Sequence, residues 1–330
     1  MFNKSVGIDL GTANVLIYVK GEGVVLDEPA VVSIDAHTKK ALAIGREAKT
    51  MLGRTPGRIQ AIRPLKDGVI ADFEITEIML QHFMKELKLK GIFSRPDVLI
   101  CCPSNITSVE RKAISDAAYR TGAKRVFIEE EPKVAAIGAQ LDISKPSGNM
   151  VLDIGGGTTD VAILSLGDIV TSTSLKIAGD SLDSDIIKYV KDNYKLLIGD
   201  STAERIKTTI GTAYMDPTDE DLTIDVSGRD LVTGLPSTIT LKASETQEAM
   251  RESLTDIVRA CRSVLEQTPP ELSADIIVRG IVLTGGGALL RGLDRLISES
   301  LSTPVYVAEN ALTCVAEGTG IMLENLDYLG

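Results

Sequence analysis

Two short segments of this chain combine an aspartate at the end of a strand with a turn of glycine and small hydroxyl residues. Asp9 precedes the segment GTAN at 11–14, and Asp153 precedes GGGTT at 155–159. Glycine lets backbone N–H groups approach a ligand closely and point toward it, which suits phosphate oxygens. An aspartate at each strand end suits a divalent cation held through water. These residue types predict a site for a metal-bound phosphate compound.

A third glycine turn follows an apolar strand at 281–284 and occupies positions 285–287. One such turn alone is equally well explained by a tight hairpin that needs a positive φ. Three turns, two with an aspartate at the same offset, favour a shared ligand. The chain has no Gly-Lys dipeptide and therefore no Walker A loop, and no Gly-x-Gly-x-x-Gly follows a strand, which disfavours a dinucleotide-binding fold.

The elements that position the first two turns are repeated along the chain. Apolar residues at 5–10 lead into the first turn, and a second strand at 15–19 leaves it. Residues 151–154 and 161–164 repeat this arrangement about 145 residues later, roughly one domain length. The repeat predicts a duplicated domain whose two turns close on one ligand.

Strands alternate with helices over the rest of the sequence, so we predict the α/β class. Residues 45–68 are rich in Gly, Arg and Pro and predict a loop with a short helix. The predicted helices span 75–89, 108–119, 132–141, 202–212 and 246–267, and further strands are predicted at 30–34, 97–102, 125–128, 222–226, 237–241 and 281–284.

Composition excludes several classes of protein. The chain has 330 residues, which predicts at least two domains, and its net charge of −11 argues against a nucleic-acid partner. It has 4 Cys, no Cys-x-x-Cys pair and 2 His, which disfavours a zinc site or a cysteine or serine catalytic dyad. We expect buried, reduced thiols and a cytoplasmic location. We expect no signal peptide, and no apolar run approaches the length of about 20 residues that a membrane span needs.

Five segments resemble the ATPase superfamily of actin, Hsp70 and the sugar kinases, and most sharply the bacterial actin family MreB. They cover the whole chain in order: IDLGTAN at 8–14, RPLKDGVIAD at 63–72, EEP at 130–132, DIGGGTT at 153–159 and LTGGGA at 283–288. Residues 102–107 and 131–135 look closer to the MreB-like paralogue, Mbl, although Asp160 stands where many members have Glu. The resemblance implies an actin-like, ribonuclease H-like pair of domains around a nucleotide cleft.

The resemblance also implies a division into four subdomains. Subdomain IA takes 1–30, 66–143 and 312–330, IB takes 31–65, IIA takes 144–180 and 244–311, and IIB takes 181–243.

By the same resemblance, the ligands are ATP and Mg²⁺, with Asp9 and Asp153 anchoring the hydrated cation. Glu204 and Lys207, one helical turn apart, would meet the ribose and adenine, although without the resemblance an exposed ion pair is the better explanation. The residues expected to bind ATP are Thr12, Ala13, Asn14, Gly156, Gly157, Thr158, Glu204, Arg205, Ile206, Lys207, Thr284, Gly285, Gly286 and Gly287.

Glu131 is the candidate for orienting the attacking water, with Thr158 assisting. In-line attack needs an acceptor close to the water, and a carboxylate can provide it. A carboxylate at this position is also favourable simply because it lies beside the N-terminus of a helix. No second acid is evident in the sequence, so we expect slow hydrolysis.

Ile92 and Phe93 form an apolar pair among cationic residues that include Lys85, Lys88 and Arg95. An exposed pair of this kind suits insertion into an anionic lipid surface. The alternative is that both side chains fold back and cap the preceding helix. Relatives in the MreB family insert an equivalent loop into the membrane, which favours the membrane interpretation.

The resemblance implies a slow ATPase that polymerises into antiparallel double filaments on the inner face of the cell membrane. Such filaments guide the cell-wall elongation machinery, through membrane adaptor proteins, and maintain rod shape. A small-molecule kinase of the same superfamily is the alternative, but the chain offers no additional segment for a substrate pocket. An Hsp70-like chaperone would need a substrate-binding domain after the ATPase.

Overall fold

The computed structural model describes residues 5–87, 95–103 and 106–325. Ile92 and Phe93, the predicted membrane contacts, lie outside these ranges. The elements of the first half are β1 (Ser5–Leu10), β2 (Asn14–Val19), β3 (Gly23–Pro29), β4 (Val32–Asp35), β5 (Ala41–Ile44), α1 (Arg46–Met51), β6 (Ile59–Ile62), β7 (Leu65–Lys66), β8 (Val69–Ile70), α2 (Phe73–Glu86), β9 (Asp97–Cys102), α3 (Ser108–Arg120), β10 (Arg125–Glu130) and α4 (Glu131–Gly138).

The second half continues the alternation of strands and helices. Its elements are β11 (Asn149–Ile154), β12 (Thr159–Ser165), β13 (Asp168–Leu175), α5 (Gly179–Tyr194), β14 (Leu196–Leu197), α6 (Asp200–Ile210), β15 (Thr223–Asp230), β16 (Pro236–Lys242), α7 (Ala243–Glu266), α8 (Pro270–Arg279), β17 (Ile281–Thr284), α9 (Leu293–Leu301), β18 (Val305–Val307) and α10 (Cys314–Glu324), with 3₁₀ turns at Pro217–Asp219 and Gly286–Leu289.

The main sheets of the two halves have the same strand order. The first sheet runs β10-β9-β1-β2-β3 and the second runs β18-β17-β11-β12-β13. In each, three parallel strands are followed by two antiparallel strands, the first of which forms a hairpin with the third parallel strand. This equivalence confirms the predicted duplication and the α/β class, and it places Asp9 and Asp153 at matching positions.

A shared core joins the two halves. It contains Leu99 and Val134 from the first half and Val151 from the second, together with Val315 of α10. Helices α4 and α10 cross here at very close range, because glycines stand at the crossing. A Cβ atom added to Gly138 would overlap the carbonyl group of Cys314, so this crossing tolerates no side chain.

Each half carries a smaller sheet. In the first half β4, β5 and β6 pair, with α1 packed on them around a core of Val31, Ala43 and Ala48. In the second half β14, β15 and β16 form the equivalent small sheet. The strand pair predicted at 222–226 and 237–241 is confirmed. The prediction of loop and short helix over 45–68 was incomplete, because Ile59–Ile62 pairs with β4 as a strand.

The observed limits of the predicted helices agree with the limits predicted from the sequence to within a few residues. Asp72 caps α2, its side chain accepting a hydrogen bond from the amide of Ile75 at 3.1 Å, so the helix begins at Phe73. Pro269-Pro270 does not only end α7, as predicted, but also begins α8, because proline is favourable in the first turn of a helix.

The thiols of Cys101, Cys102, Cys261 and Cys314 are free and buried, as the cysteine pattern predicted. Within the described ranges, the structure contains no helix that is both long and apolar enough to cross a membrane.

Candidate functional site

A cavity of about 530 Å³ lies between the two halves, where β1, β11 and β17 end. Residues of both halves line it, and they include most of the positions singled out in the sequence. Those predicted positions are Asp9, Thr12, Ala13, Asn14, Glu131, Asp153, Gly156, Thr158, Glu204, Lys207, Gly285, Gly286 and Gly287. The structure therefore brings the three glycine turns together around one space.

The first two glycine turns touch each other at the base of the cavity. A Cβ atom on Gly156 would lie only 2.6 Å from Cβ of Ala13, and one on Gly157 would lie 2.7 Å from Oγ1 of Thr12. Any side chain at Gly156 or Gly157 would therefore force the turns apart. Without side chains, the backbone of both turns is left open to a ligand that carries hydrogen-bond acceptors.

Three carboxyl groups face this part of the cavity. Asp153 and Glu131 are buried, and Asp9 is partly buried. Loss of solvation raises the pKa of Asp9, and the negative charges of Asp153 and Asp27 raise it further. Burial raises the pKa of Asp153, whereas a hydrogen bond of 2.8 Å from the hydroxyl of Thr284 lowers it.

The same carboxyl groups affect Glu131, in the first turn of α4. Burial raises the pKa of Glu131 well above its ordinary value, and the charges of Asp160, Asp9 and Asp153 add to the effect. So many carboxylates around one cavity repel each other unless a positive charge balances them.

This donor set fits a hydrated divalent cation. The carboxylate oxygens are hard ligands of the kind that Mg²⁺ prefers. Among the residues that the structure describes, no three His, Cys, Asp or Glu side chains are grouped for direct ligation of a metal. Contact of Asp9 and Asp153 with such a cation, through coordinated water, stays a prediction.

Asp160 was not predicted to influence the site. It lies directly opposite Asp153 in the β11–β12 ladder and is 1% exposed. Its charge is the largest electrostatic influence on the pKa of Glu131, after burial. The expectation that no second acid stands near Glu131 was therefore wrong. The register of the hairpin, which places Asp160 opposite Asp153, is visible only in the folded sheet.

Helix α6 forms one wall of the cavity. Glu204 and Lys207 line it, but they do not pair with each other as the alternative interpretation supposed. Lys207 Nζ donates to the carbonyl oxygen of Gly179 at 2.7 Å and lies 2.9 Å from Oδ1 of Asp183. Glu204 Oε1 instead accepts a hydrogen bond of 2.9 Å from Lys49 Nζ, on the opposite side of the cavity.

Four predicted ligand-binding residues do not line the cavity. Ile206 is fully buried in the core of the second half, and Arg205 donates to the carbonyl oxygen of Asp225 on β15 at 3.3 Å. Both lie between Glu204 and Lys207 in sequence and therefore point to other faces of the helix. Thr284 is buried behind Asp153, and Gly157 packs against the first turn.

Further cavity residues were not predicted as ligands. Lys49, Arg63, Gly68 and Asp180 all line the space. The amide of Gly68 donates to Oγ1 of Thr12 at 3.3 Å, which places the β7–β8 turn over the first glycine turn. Arg63 and Gly68 lie in the segment at 63–72 that carried the family resemblance, so the sequence marked the segment without indicating its role.

The chain is similar to known proteins over its whole length. A model of the MreB/Mbl protein family matches residues 3–330. The cell shape-determining protein Mbl of Bacillus subtilis is 62% identical over 329 residues, which cover 100% of this chain and 98% of that protein. The cell shape-determining protein MreB of Escherichia coli is 56% identical over 336 residues, covering 100% and 96%.

Solved structures give the same result for the fold. The crystal structure of MreB 5 of Spiroplasma citri bound to AMPPNP superimposes with a TM-score of 0.94 at 41% identity, over 99% of this chain and 98% of that chain. A MamK double helical filament has a TM-score of 0.82 at 20% identity, over 97% and 98% of the two chains. These structures confirm the actin-like fold.

Proposed function

Because the chain belongs to the MreB/Mbl family, we propose that it is an ATP-binding cytoskeletal protein that polymerises into actin-like filaments. The observation that carries nucleotide binding is the contact of two equivalent glycine turns, one from each half, at a cavity where Asp9, Glu131 and Asp153 lie beside them. The relative from S. citri was solved with AMPPNP and with ADP, which supports nucleotide binding by this chain.

The proposed nucleotide lies with its phosphates between the turns. Backbone N–H groups at 12–14 would bind the β- and γ-phosphates from one side, and those at 156–158 from the other. Glu204 and Lys207 would contact the ribose and adenine, and Gly285, Gly286 and Gly287 would pass beneath the base. All of these except Gly157 line the cavity.

Asp9 and Asp153 would hold Mg²⁺ through water molecules, and Thr284 fixes the carboxylate of Asp153. When bound, the cation offsets negative charge on the phosphates. The two aspartates come from equivalent strands of the two halves, so a cation held by both favours the closed arrangement of the cleft.

Glu131 would orient the water that attacks the γ-phosphate, with Thr158 assisting. The carboxyl group lines the cavity and is 6% exposed, so few other water molecules reach it. Asp160 would influence how readily Glu131 accepts a proton, because the two carboxyl groups repel each other. Hydrolysis of ATP to ADP and phosphate is expected to be slow and to serve filament dynamics.

Outside the site, we propose head-to-tail assembly between unlike faces, which gives an open polymer, and pairing into double filaments. Filaments would lie on the inner face of the cytoplasmic membrane, held by Ile92 and Phe93. Each loop would bind weakly, and many loops on one filament would bind firmly. The filaments would organise cell-wall synthesis and maintain rod shape, in line with the cell shape-determining relatives of B. subtilis and E. coli.

The experiment is co-sedimentation of the purified protein with ATP, Mg²⁺ and anionic lipid vesicles, with electron microscopy of the pellet and phosphate release measured in parallel. We expect ATP-dependent filaments on the vesicles and slow phosphate release. The variant with Ile92→Ser and Phe93→Ser should polymerise but no longer pellet with lipid. A protein that stays monomeric at every concentration and phosphorylates a metabolite would contradict the filament proposal.

A further inference from the structure

Two ion pairs connect the halves across the cavity. Lys49 Nζ lies 2.9 Å from Glu204 Oε1, and Arg63 Nη1 lies 2.8 Å from Asp180 Oδ1. All four side chains line the cavity, and each is about one-third exposed, so they lie where the cavity meets solvent. In both pairs, the cation belongs to the small sheet unit of the first half and the carboxylate to the second half.

The two cationic residues, Lys49 and Arg63, belong to one packed structural unit. Lys49 is in α1, which packs on the sheet of β4, β5 and β6 through Ala48. Arg63 directly follows β6 in the same sheet. Since both side chains belong to one packed unit, movement of that unit away from the second half would separate both ion pairs together.

The segments that carry the two carboxylates, Asp180 and Glu204, are hydrogen-bonded to the second glycine turn, directly or through Gly179. The amide of Asp180 donates to the carbonyl oxygen of Gly156 at 2.8 Å, and the amide of Gly179 donates to that of Gly155 at 3.1 Å. Lys207, one helical turn from Glu204, donates to the carbonyl oxygen of Gly179 at 2.7 Å. The position of this turn is therefore linked, through α5 and α6, to the two ion pairs.

The charges of the facing walls are complementary beyond the two contacts. Burial lowers the pKa of the Arg63 guanidinium, but the carboxylates of Asp180, Asp200 and Glu204 outweigh this and raise it. Arg63 thus faces an acidic surface built from the starts of α5 and α6, and the attraction draws the walls together.

We propose that the Arg63–Asp180 and Lys49–Glu204 pairs form a clasp that holds the cleft closed over bound nucleotide and limits the rate of its release. The inference depends on the proposed binding of ATP in this cavity. Widening the rim separates four charged groups, and this adds to the barrier for release. Partly exposed ion pairs are individually weak, so we expect a change of about three- to tenfold in release rate when one is reversed.

The test measures release of a fluorescent ATP analogue, with Mg²⁺, from unpolymerised protein after addition of excess unlabelled ATP. Arg63→Asp and Asp180→Arg should each release the analogue about three to ten times faster than the wild type. The double variant Arg63→Asp/Asp180→Arg restores opposite charges and should return to within about twofold of the wild-type rate.

The matched control is Arg58→Asp. Arg58 Nε pairs with Asp35 Oδ2 at 3.0 Å within the small sheet unit and does not cross the cavity, so its reversal should leave the release rate unchanged. A milder variant, Arg63→Gln, keeps the test usable if a reversal prevents folding. It should accelerate release and should reduce the acceleration that the wild type shows as salt is raised from about 0.05 M to about 0.5 M.

Unchanged release in both single reversals would overturn the clasp, as would a double variant that stays as fast as the single ones. Equal acceleration in Arg58→Asp would also overturn it, because the effect would then be unspecific. A wild-type protein that does not bind the analogue would instead contradict the proposed function, so the two failures are distinguishable.

Discussion

The hydroxyl of Thr284 donates a hydrogen bond of 2.8 Å to Oδ1 of Asp153, and both side chains are buried. The bond follows from sheet register, since the two residues lie opposite each other in the parallel β11–β17 ladder. It lowers the pKa of a carboxyl group that burial raises. Thr284 thus helps to keep Asp153 ionised and directed at the cavity without lining it.

The variant Thr284→Val should weaken binding of Mg²⁺-ATP. It keeps the shape of the side chain but removes a hydrogen bond to a charged acceptor, which contributes about 1.5–3 kcal/mol. We expect the dissociation constant, measured by titration, to rise about tenfold. Thr268→Val is the control, because that hydroxyl bonds to the carbonyl oxygen of Val264 far from the cavity. Equal affinity in Thr284→Val and wild type would refute the assigned role.

The variant Glu131→Ala should retain ATP affinity but lose most hydrolysis. Because a positioned general base typically contributes at least a hundredfold, phosphate release should slow by about that factor. Glu129→Ala serves as the control, since Glu129 is in the same acidic run but lies 3.6 Å from Lys133. Unchanged turnover in Glu131→Ala would remove this residue from the mechanism.

Asp183 should make folding stability depend on pH between 5 and 7. Burial raises its pKa to about 6; Lys207 opposes the shift, and Asp180 and Glu204 reinforce it. The folded state therefore holds a proton that the unfolded state has lost, so this contribution to stability is complete below the unfolded pKa and disappears as pH rises through about 6. From pH 5 to pH 7, the free energy of unfolding of the wild type should fall by about 1 kcal/mol relative to that of Asp183→Asn. Urea unfolding of both proteins at both pH values measures this difference. A difference that does not change with pH would contradict the raised pKa of Asp183.

The variant Gly138→Ala should destabilise the protein by about 1–3 kcal/mol, because a methyl group at the α4–α10 crossing overlaps the carbonyl group of Cys314. Denaturant unfolding followed by circular dichroism provides the measurement. Gly57→Ala is a suitable control, since a Cβ atom there has no neighbour within 4 Å. If Gly138→Ala unfolds at the same denaturant concentration as the wild type, the helices are not packed as closely as described.

The four cysteines should react slowly with thiol reagents in the folded protein. Burial raises the pKa of Cys102, Cys261 and Cys314 to about 12 and raises that of Cys101 as well. Because only the thiolate reacts, labelling with a chromogenic disulfide at pH 8 should be at least a hundredfold slower than in urea. A rapidly labelled thiol in native protein would show that one of them is accessible.

The sequence predicted the duplicated architecture because the repeated hairpins, at Asp9 and Asp153, are local patterns. Helix limits near α3 and the strand pair of β15 and β16 were also predicted from local periodicity. The short strands β5 and β6 were missed, since strands of four residues show little alternation and depend on pairing with β4.

The candidate site was predictable where a residue lies in a glycine turn or precedes one. It was not predictable where only tertiary contacts determine whether a residue lies near the cavity. Asp160 influences Glu131 because strand register places it opposite Asp153, and Arg63 forms an ion pair with Asp180 across the cleft. Ile206 shows the opposite error, since sequence proximity to Lys207 suggested a ligand contact that helix geometry excludes.

The identical strand order of the two main sheets has a consequence for how such a protein can originate. Each half supplies one hairpin turn, one aspartate and one wall, so a half-length chain could assemble this pocket only as a symmetric dimer. Joining the copies in one polypeptide removes the requirement for symmetry. The first turn reads GTAN and the second reads GGGTT, so the two halves of one polypeptide need not contact the ligand in the same way.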